Sequence, residues 1–90
     1  MIITKIKYAL GYIKRIKKLP VGIKVVAIAK EKLFRSNPLH PSLRLHELHG
    51  KFRGLWSISL TVGYRIIFER QNNGEILFIS IGKHDIYKHL

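Results

Sequence analysis

Leu55 to Ile81 reads LWSISLTVGYRIIFERQNNGEILFISI, and the rhythm of this stretch decides the fold. From Leu55 to Leu60 the side chains alternate, so Trp56, Ile58 and Leu60 share one face of a strand while Ser57 and Ser59 take the other. Gly63 marks a turn before a second run, Tyr64 to Arg70. Asn72-Asn73-Gly74 is a hairpin signal, because Asn-Gly readily takes the positive φ that a tight primed turn needs. The third run, Glu75 to Ile81, is apolar on both faces, as a central strand covered on both sides should be. Three strands joined by short turns make an antiparallel meander.

Upstream the period changes. Ile2 to Ile6 is rich in β-branched residues and predicts a short edge strand. From Ile6, the residues Leu10, Ile13, Ile16 and Leu19 recur every three or four positions, a helical stripe with Lys7, Lys14, Arg15, Lys17 and Lys18 mostly off it. Pro20 ends that helix or sits in the first turn of the next, which the pattern carries over residues 21–35. Asn37-Pro38 and His40-Pro41 then force an extended passage. Beyond Gly82 the chain ends in a polar tail. The expected architecture is α+β: two N-terminal helices packed on one face of a twisted antiparallel β-sheet, in a single domain over residues 1–90.

Charge narrows the partners. Seventeen Lys and Arg stand against five acids, a net charge of +12. Such an imbalance costs self-repulsion in the folded state and favours polyanionic partners. It is uneven: residues 1–35 carry ten basic groups against Glu31 alone. There is no cysteine, so neither disulfides nor thiolate metal sites supplement the small core. MIITKIKYAL lacks the long apolar segment and cleavage site of a secretory signal, and no run of apolar residues is long enough to span a bilayer. A cytoplasmic protein with no membrane partner is the expectation.

The acids, Glu31, Glu47, Glu69, Glu75 and Asp85, match no compact metal motif, and no P-loop, Rossmann glycine pattern or HExxH occurs. No metal and no cofactor are therefore expected. RNA carries its own nucleophile, the 2′-hydroxyl. Cutting it needs a base, an acid for the departing 5′ oxygen and cations for the phosphorane, all of which His, Tyr, Lys and Arg supply. Candidates cluster in the less charged part of the chain: His46 and Glu47, then Lys51 and Arg53, Arg65, and finally Lys83, His84 and Tyr87. In a meander the end of the third strand approaches the start of the second, so Arg65 and His84 can converge. Each also has a structural explanation. His46 and His49 flank Leu48 as loop residues, Arg65 pairs with Glu69 or Glu75, His84 and Tyr87 belong to a fraying terminus, and Trp56 sits in the core.

Six blocks in order add a resemblance: Phe34 to Pro38, His40 to Leu43, Leu48 to Lys51, Leu55 to Ile58, Tyr64 to Phe68 and Gly82 to Tyr87. Together they resemble the RelE/StbE and YoeB/YafQ branch of the RelE/ParE toxins of bacterial type II toxin–antitoxin systems. The resemblance implies a microbial RNase-like fold and a metal-independent endoribonuclease that cuts messenger RNA in the ribosomal A site. It also implies an acidic cognate antitoxin. On this reading Arg65 is the phosphate ligand, His84 the general acid and Tyr87 the C-terminal aromatic of the site. The upstream acid/base position falls on His46 or, one residue on, Glu47, and Lys51, Arg53 and Lys83 contact RNA. One departure stands out. RelE places two lysines where this chain has Ser57 and Ser59, and a hydroxyl of ordinary pKa is a poor general base. The alternative is a ParE-like protein of the same fold that inhibits DNA gyrase without cutting anything.

Overall fold

A computed structural model describes residues 1–90, apart from the side chain of His89. In chain order the elements are β1 (Lys5–Tyr8), α1 (Leu10–Ile16), α2 (Val21–Ser36), β2 (His46–Glu47), β3 (Leu55–Ser59), β4 (Arg65–Arg70) and β5 (Glu75–Gly82). Short 3-10 turns fill Pro41–Leu43, Gly50–Phe52, Asn72–Gly74 and His84–His89. The five strands lie in the order β1-β5-β4-β3-β2. The expected architecture of two helices on a sheet is present. The sheet, however, is mixed: β1 runs parallel to β5, and every other pairing is antiparallel.

That parallel edge corrects the reading of the first ten residues. The edge strand expected over residues 2–6 lies instead at Lys5–Tyr8, so the start of the stripe from Ile6 is strand and not helix, paired with Glu75 to Phe78. A partner seventy residues away supplies the hydrogen bonds, and local periodicity carries no trace of it. The helix begins only after the Ala9 N–H has donated to the Phe78 carbonyl at 2.9 Å. It then packs against β5 so closely that a Cβ on Gly11 would lie 3.3 Å from the Ile79 carbonyl oxygen. The Asn72-Asn73-Gly74 turn also fastens this edge. Asn73 and Gly74 take φ of 60° and 78°, and the Gly74 carbonyl accepts the Thr4 N–H at 2.9 Å. A side chain on Gly74 would collide with the Ile2 carbonyl oxygen at 2.5 Å.

Pro20 precedes α2, and its carbonyl accepts the N–H groups of Ile23 and Lys24. At the other end Asn37-Pro38 stops the helix, with the Asn37 N–H closing on Leu33 at 2.7 Å. The main core lies between the helices and the sheet. Phe34 from α2 meets Phe68 and Phe78 with ring centroids 5.0 and 6.1 Å apart, and Ile58, Leu60, Ile66 and Ile81 complete the layer. Trp56 packs against this cluster, as the alternation of β3 requires.

A bulge explains how β5 serves both faces. Ile67 stands opposite Ser80, whereas Phe68 stands opposite Phe78, so Ile79 is the extra residue. Without it the strict alternation of the strand would point Ser80, and not Ile81, toward the helices. With it, Phe78 and Ile81 both reach the helix side, and Ser80 is left facing the other way.

Candidate functional site

The face of the sheet turned away from the helices carries the candidate chemistry. Across the strands the register runs His46, Ser57, Ile67, Ser80, and two residues along β3 a second row runs Ser59, Arg65, Gly82. All these residues share one face, because side chains two apart on a strand point the same way and direct partners do too. Glu47 pairs with Trp56 and so belongs to the helix side. Of the two adjacent acid/base candidates, only His46 shares a face with Arg65.

The chain's last turn folds onto this face. Ile86 is fully buried against Ile67 and Leu48, and Phe52, Leu55 and Tyr87 pack around them. The 3-10 turn is closed by the Ile86 N–H donating to the Lys83 carbonyl at 2.9 Å. A frayed polar tail was one reading of these residues. Instead Ile86 fastens them, which fixes the position of Tyr87.

Arg65 meets Tyr87 directly. Its guanidinium nitrogen donates to the Tyr87 hydroxyl at 2.9 Å in a half-buried setting, with the guanidinium carbon 5.8 Å from the ring centroid. The Tyr87 ring leans on Phe52 at 5.6 Å, and the Lys51 ammonium sits 5.1 Å from the Phe52 centroid. Two cations thus flank a pair of aromatic rings. The ion pairs that would explain Arg65 structurally are not made among the described residues. Glu69 accepts instead from the Gln71 amide at 3.1 Å, and Glu75 pairs with Lys7 at 3.1 Å. Most of the five guanidinium donors therefore remain for an incoming anion.

His46 is exposed, and its Nδ1 lies 3.0 Å from the Arg44 carbonyl. A carbonyl only accepts, so Nδ1 carries a proton and, in the neutral imidazole, Nε2 presents the lone pair. His46 is two strands across and two residues along from Arg65, roughly 12 Å between α-carbons from standard sheet spacings. Ser57 in the same row is buried, whereas Ser59 is half-exposed and lines a hollow with Ser42 and Arg44. Arg44 adopts a left-handed backbone with φ of 47°, a conformation uncommon for a residue with a side chain.

None of the remaining candidates is hydrogen-bonded to Arg65 among the described residues. Arg53 is exposed at the end of the Gly50–Phe52 turn. His84 is exposed at the start of the last turn, and among the described residues it makes no hydrogen bond to Arg65. Lys83 turns to the helix side, where its ammonium lies 5.3 Å over the Tyr64 ring. Phe52 and Arg44 were not singled out from sequence. A partly buried aromatic in a short turn and a left-handed arginine leave no periodic signature.

The perturbed side chains are elsewhere. Burial first, then a hydrogen bond donated to the Glu31 carboxylate, pushes the Tyr8 phenol up to about 12. Burial likewise pushes Tyr12 upward. Both phenols are neutral at physiological pH and serve the packing of β1 and α1 on the sheet. Among the described residues no three His, Asp or Glu side chains gather as metal ligands, and no helix is long and apolar enough to cross a membrane.

No family model matches the sequence, and no curated protein sequence does. Solved structures do match. A YoeB/ParE toxin from Agrobacterium tumefaciens superposes with a TM-score of 0.75 over 90% of this chain and 99% of its own, at 15% identity. This is the RelE/ParE toxin fold. The same fold appears in an archaeal RelE–RelB complex from Pyrococcus horikoshii, with a TM-score of 0.71, 17% identity and coverage of 92% and 96%. It appears again in the Escherichia coli DinJ–YafQ toxin–antitoxin complex, with a TM-score of 0.67, 20% identity and coverage of 88% and 90%. At such identities the RelE/ParE likeness is one of fold, and the function must be argued from the residues of this chain.

Proposed function

We propose that this chain is a single-domain RelE-like toxin of a type II toxin–antitoxin system, acting in the cytoplasm as a ribosome-dependent endoribonuclease on messenger RNA. The observation that carries the reading is Arg65: a half-buried guanidinium, oriented by Tyr87, with no carboxylate partner among the described residues. A phosphodiester bound there meets a fixed fork of donors, the geometry that suits a phosphorane. His46, with Nε2 unprotonated, takes the proton of the 2′-hydroxyl as its oxygen attacks the adjacent phosphorus. His84 delivers a proton to the departing 5′ oxygen, and a 2′,3′-cyclic phosphate remains. The step needs no metal. Lys51 and Arg53 extend the positive surface along the strand of RNA.

The partner that silences such a toxin is proposed to be an acidic antitoxin segment. Val21, Val25 and Ile28 are strongly exposed at one-turn spacing on α2, and Ile13 and Tyr8 continue the apolar surface across α1 and β1. Lys17, Lys32 and Arg35 rim it, with the one acid there, Glu31, paired to Arg35. An amphipathic helix with acidic flanks is complementary to that surface. The Escherichia coli and Pyrococcus relatives were both solved in complexes, with DinJ and with RelB respectively.

One observation favours a second reading, a ParE-like inhibitor of DNA gyrase without nuclease activity. Ser57 is buried and Ser59 offers only a hydroxyl at the two positions where RelE carries lysines. Primer extension on a defined messenger in a purified translation system separates the two. Cuts at the codon in the A site, lost by at least a hundredfold in Arg65→Ala and in His84→Ala with the fold intact, are the expected result. An uncut messenger together with inhibited gyrase supercoiling establishes the second reading instead.

A further inference from the structure

Tyr64 and Arg65 are neighbours in the chain but serve opposite faces of the sheet. Arg65 meets Tyr87, while Tyr64 packs against the helix-side core. Around Tyr64 lies a hollow of about 210 Å³, and into its rim come Arg15 from the last turn of α1, Lys18 just after that helix and Lys83 just after β5. Lys83 lies over the ring itself, 5.3 Å from the centroid. Asp85 is the one acid at the rim, and it pairs with none of the three. The ion pairs among the described residues are Lys7–Glu75 and Arg35–Glu31, both far along the molecule from this corner.

A structural explanation covers part of this. Arg15 sits in the last turn of α1, where a cation complements the negative end of the helix dipole. That accounts for neither Lys18, beyond the helix, nor Lys83, which arrives from another element. Three cations brought to one hollow against the single acid Asp85 leave a net positive charge there, and an anion relieves the remaining repulsion. Three cations from separate segments, next to the face that carries Arg65, suit the repeated phosphates of a nucleic-acid backbone.

Building on the nuclease reading above, we propose that the Arg15–Lys18–Lys83 hollow binds the RNA backbone at a phosphate neighbouring the one held by Arg65. Gly82 pairs directly with Arg65, and Lys83 is the next residue, so the two sites lie on either side of one strand end. RNA then bends around the end of β4 and β5, touching both faces. The basic first third of the chain contributes to substrate binding through these two α1-side cations, and not as a diffuse steering charge alone.

The test uses the full chain and a fluorescent twelve-nucleotide RNA whose 2′-O-methyl groups prevent cleavage, titrated by anisotropy between roughly 50 and 200 mM salt. The triple variant Arg15→Gln, Lys18→Gln, Lys83→Gln is compared with Lys5→Gln, Lys24→Gln, Lys32→Gln, which removes equal charge elsewhere. Each lost phosphate contact lowers the salt slope by about 0.7 and weakens binding about fivefold at 0.1 M salt, on the order of a hundredfold for three. The control triple should lose far less. Asp85→Asn should tighten binding about fivefold, a gain that no misfolded protein produces. Equal losses in both triples, or an RNA affinity kept while an oligoglutamate peptide is lost, overturn the hollow as an RNA site and leave the nuclease reading standing. A parent protein that binds no RNA at any salt also overturns the hollow, while the ribosome-dependent nuclease reading stands or falls on the cuts seen in the translation system.

Discussion

On the helix side of the sheet twelve buried residues form one layer, with Phe34, Phe68 and Phe78 fully enclosed. On the opposite side, among the described residues, the buried hydrophobic cluster is Leu48, Ile67 and Ile86, and Ile86 comes from the last turn of the chain. The first face holds the fold and carries little chemistry. The second is thinly covered, and the residues that cover it, Tyr87 and Phe52, are the ones that orient Arg65. Placing the candidate site on the weaker layer lets the tail position side chains without burdening the core, and it makes the site the first region to open.

If the two faces are separable in this way, their mutations should differ in kind. Phe78→Ala is expected to have the largest effect. It removes a ring that touches Phe34, Phe68, Tyr8 and Tyr12, and such truncations cost about 3–5 kcal/mol. For a chain this short that is a large share of the whole stability. Urea denaturation followed by circular dichroism should show a largely unfolded variant. Ile86→Ala should cost about 2 kcal/mol and act locally. Amide exchange should rise in residues 84–89 while β4 and β5 stay protected, and messenger cleavage should fall as Tyr87 loses its seat. A loss of protection throughout the sheet would show instead that the faces form one cooperative core.

Tyr87→Phe narrows the comparison to one hydroxyl. The ring stays on Phe52, and only the hydrogen bond from Arg65 disappears. A bond to a charged group is worth about 1.5 kcal/mol, so cleavage should fall about tenfold with the unfolding midpoint almost unchanged. Wild-type cleavage in Tyr87→Phe would mean that the guanidinium needs no orientation from the tail.

The same contrast governs what could be read from sequence. The helix-side layer was legible in β3, β4, β5 and α2, because alternation and helical periodicity report which residues are buried against a continuous partner. The Asn73-Gly74 turn was legible because its chemistry is local. β1 was foreseen as an edge strand but over residues 2–6, and neither its true bounds nor its parallel pairing was legible, since its hydrogen bonds come from β5 at the far end of the chain. The second face was least legible. His46–Glu47 is too short a strand for any period, and a single Ile86 in a polar tail gives no pattern. Arg65, Tyr87 and His46 were chosen from residue chemistry and resemblance. His46 and Arg65 share a face through the register of β2, β3 and β4, and Tyr87 joins them through the tail that follows the bulged β5; none of this is encoded locally.

The smallest expected effect lies under the tail. Ser57 and Ser80 bracket Ile67 across the sheet, both almost completely buried. Their small side chains leave room for Ile86 to seat on Ile67. The Ser80 hydroxyl is buried without a hydrogen-bond partner among the described residues, a cost of about 1 kcal/mol that no contact offsets. Ser80→Ala should therefore stabilise the protein by about that amount, raising Tm by about 4–8 °C, and leave the tail in place. Ser80→Val adds bulk at the same point and should do the reverse, lifting Ile86 and lowering cleavage through Tyr87. If Ser80→Ala instead destabilises, the hydroxyl has a partner in solution, and the second face holds ordered water between the sheet and its tail.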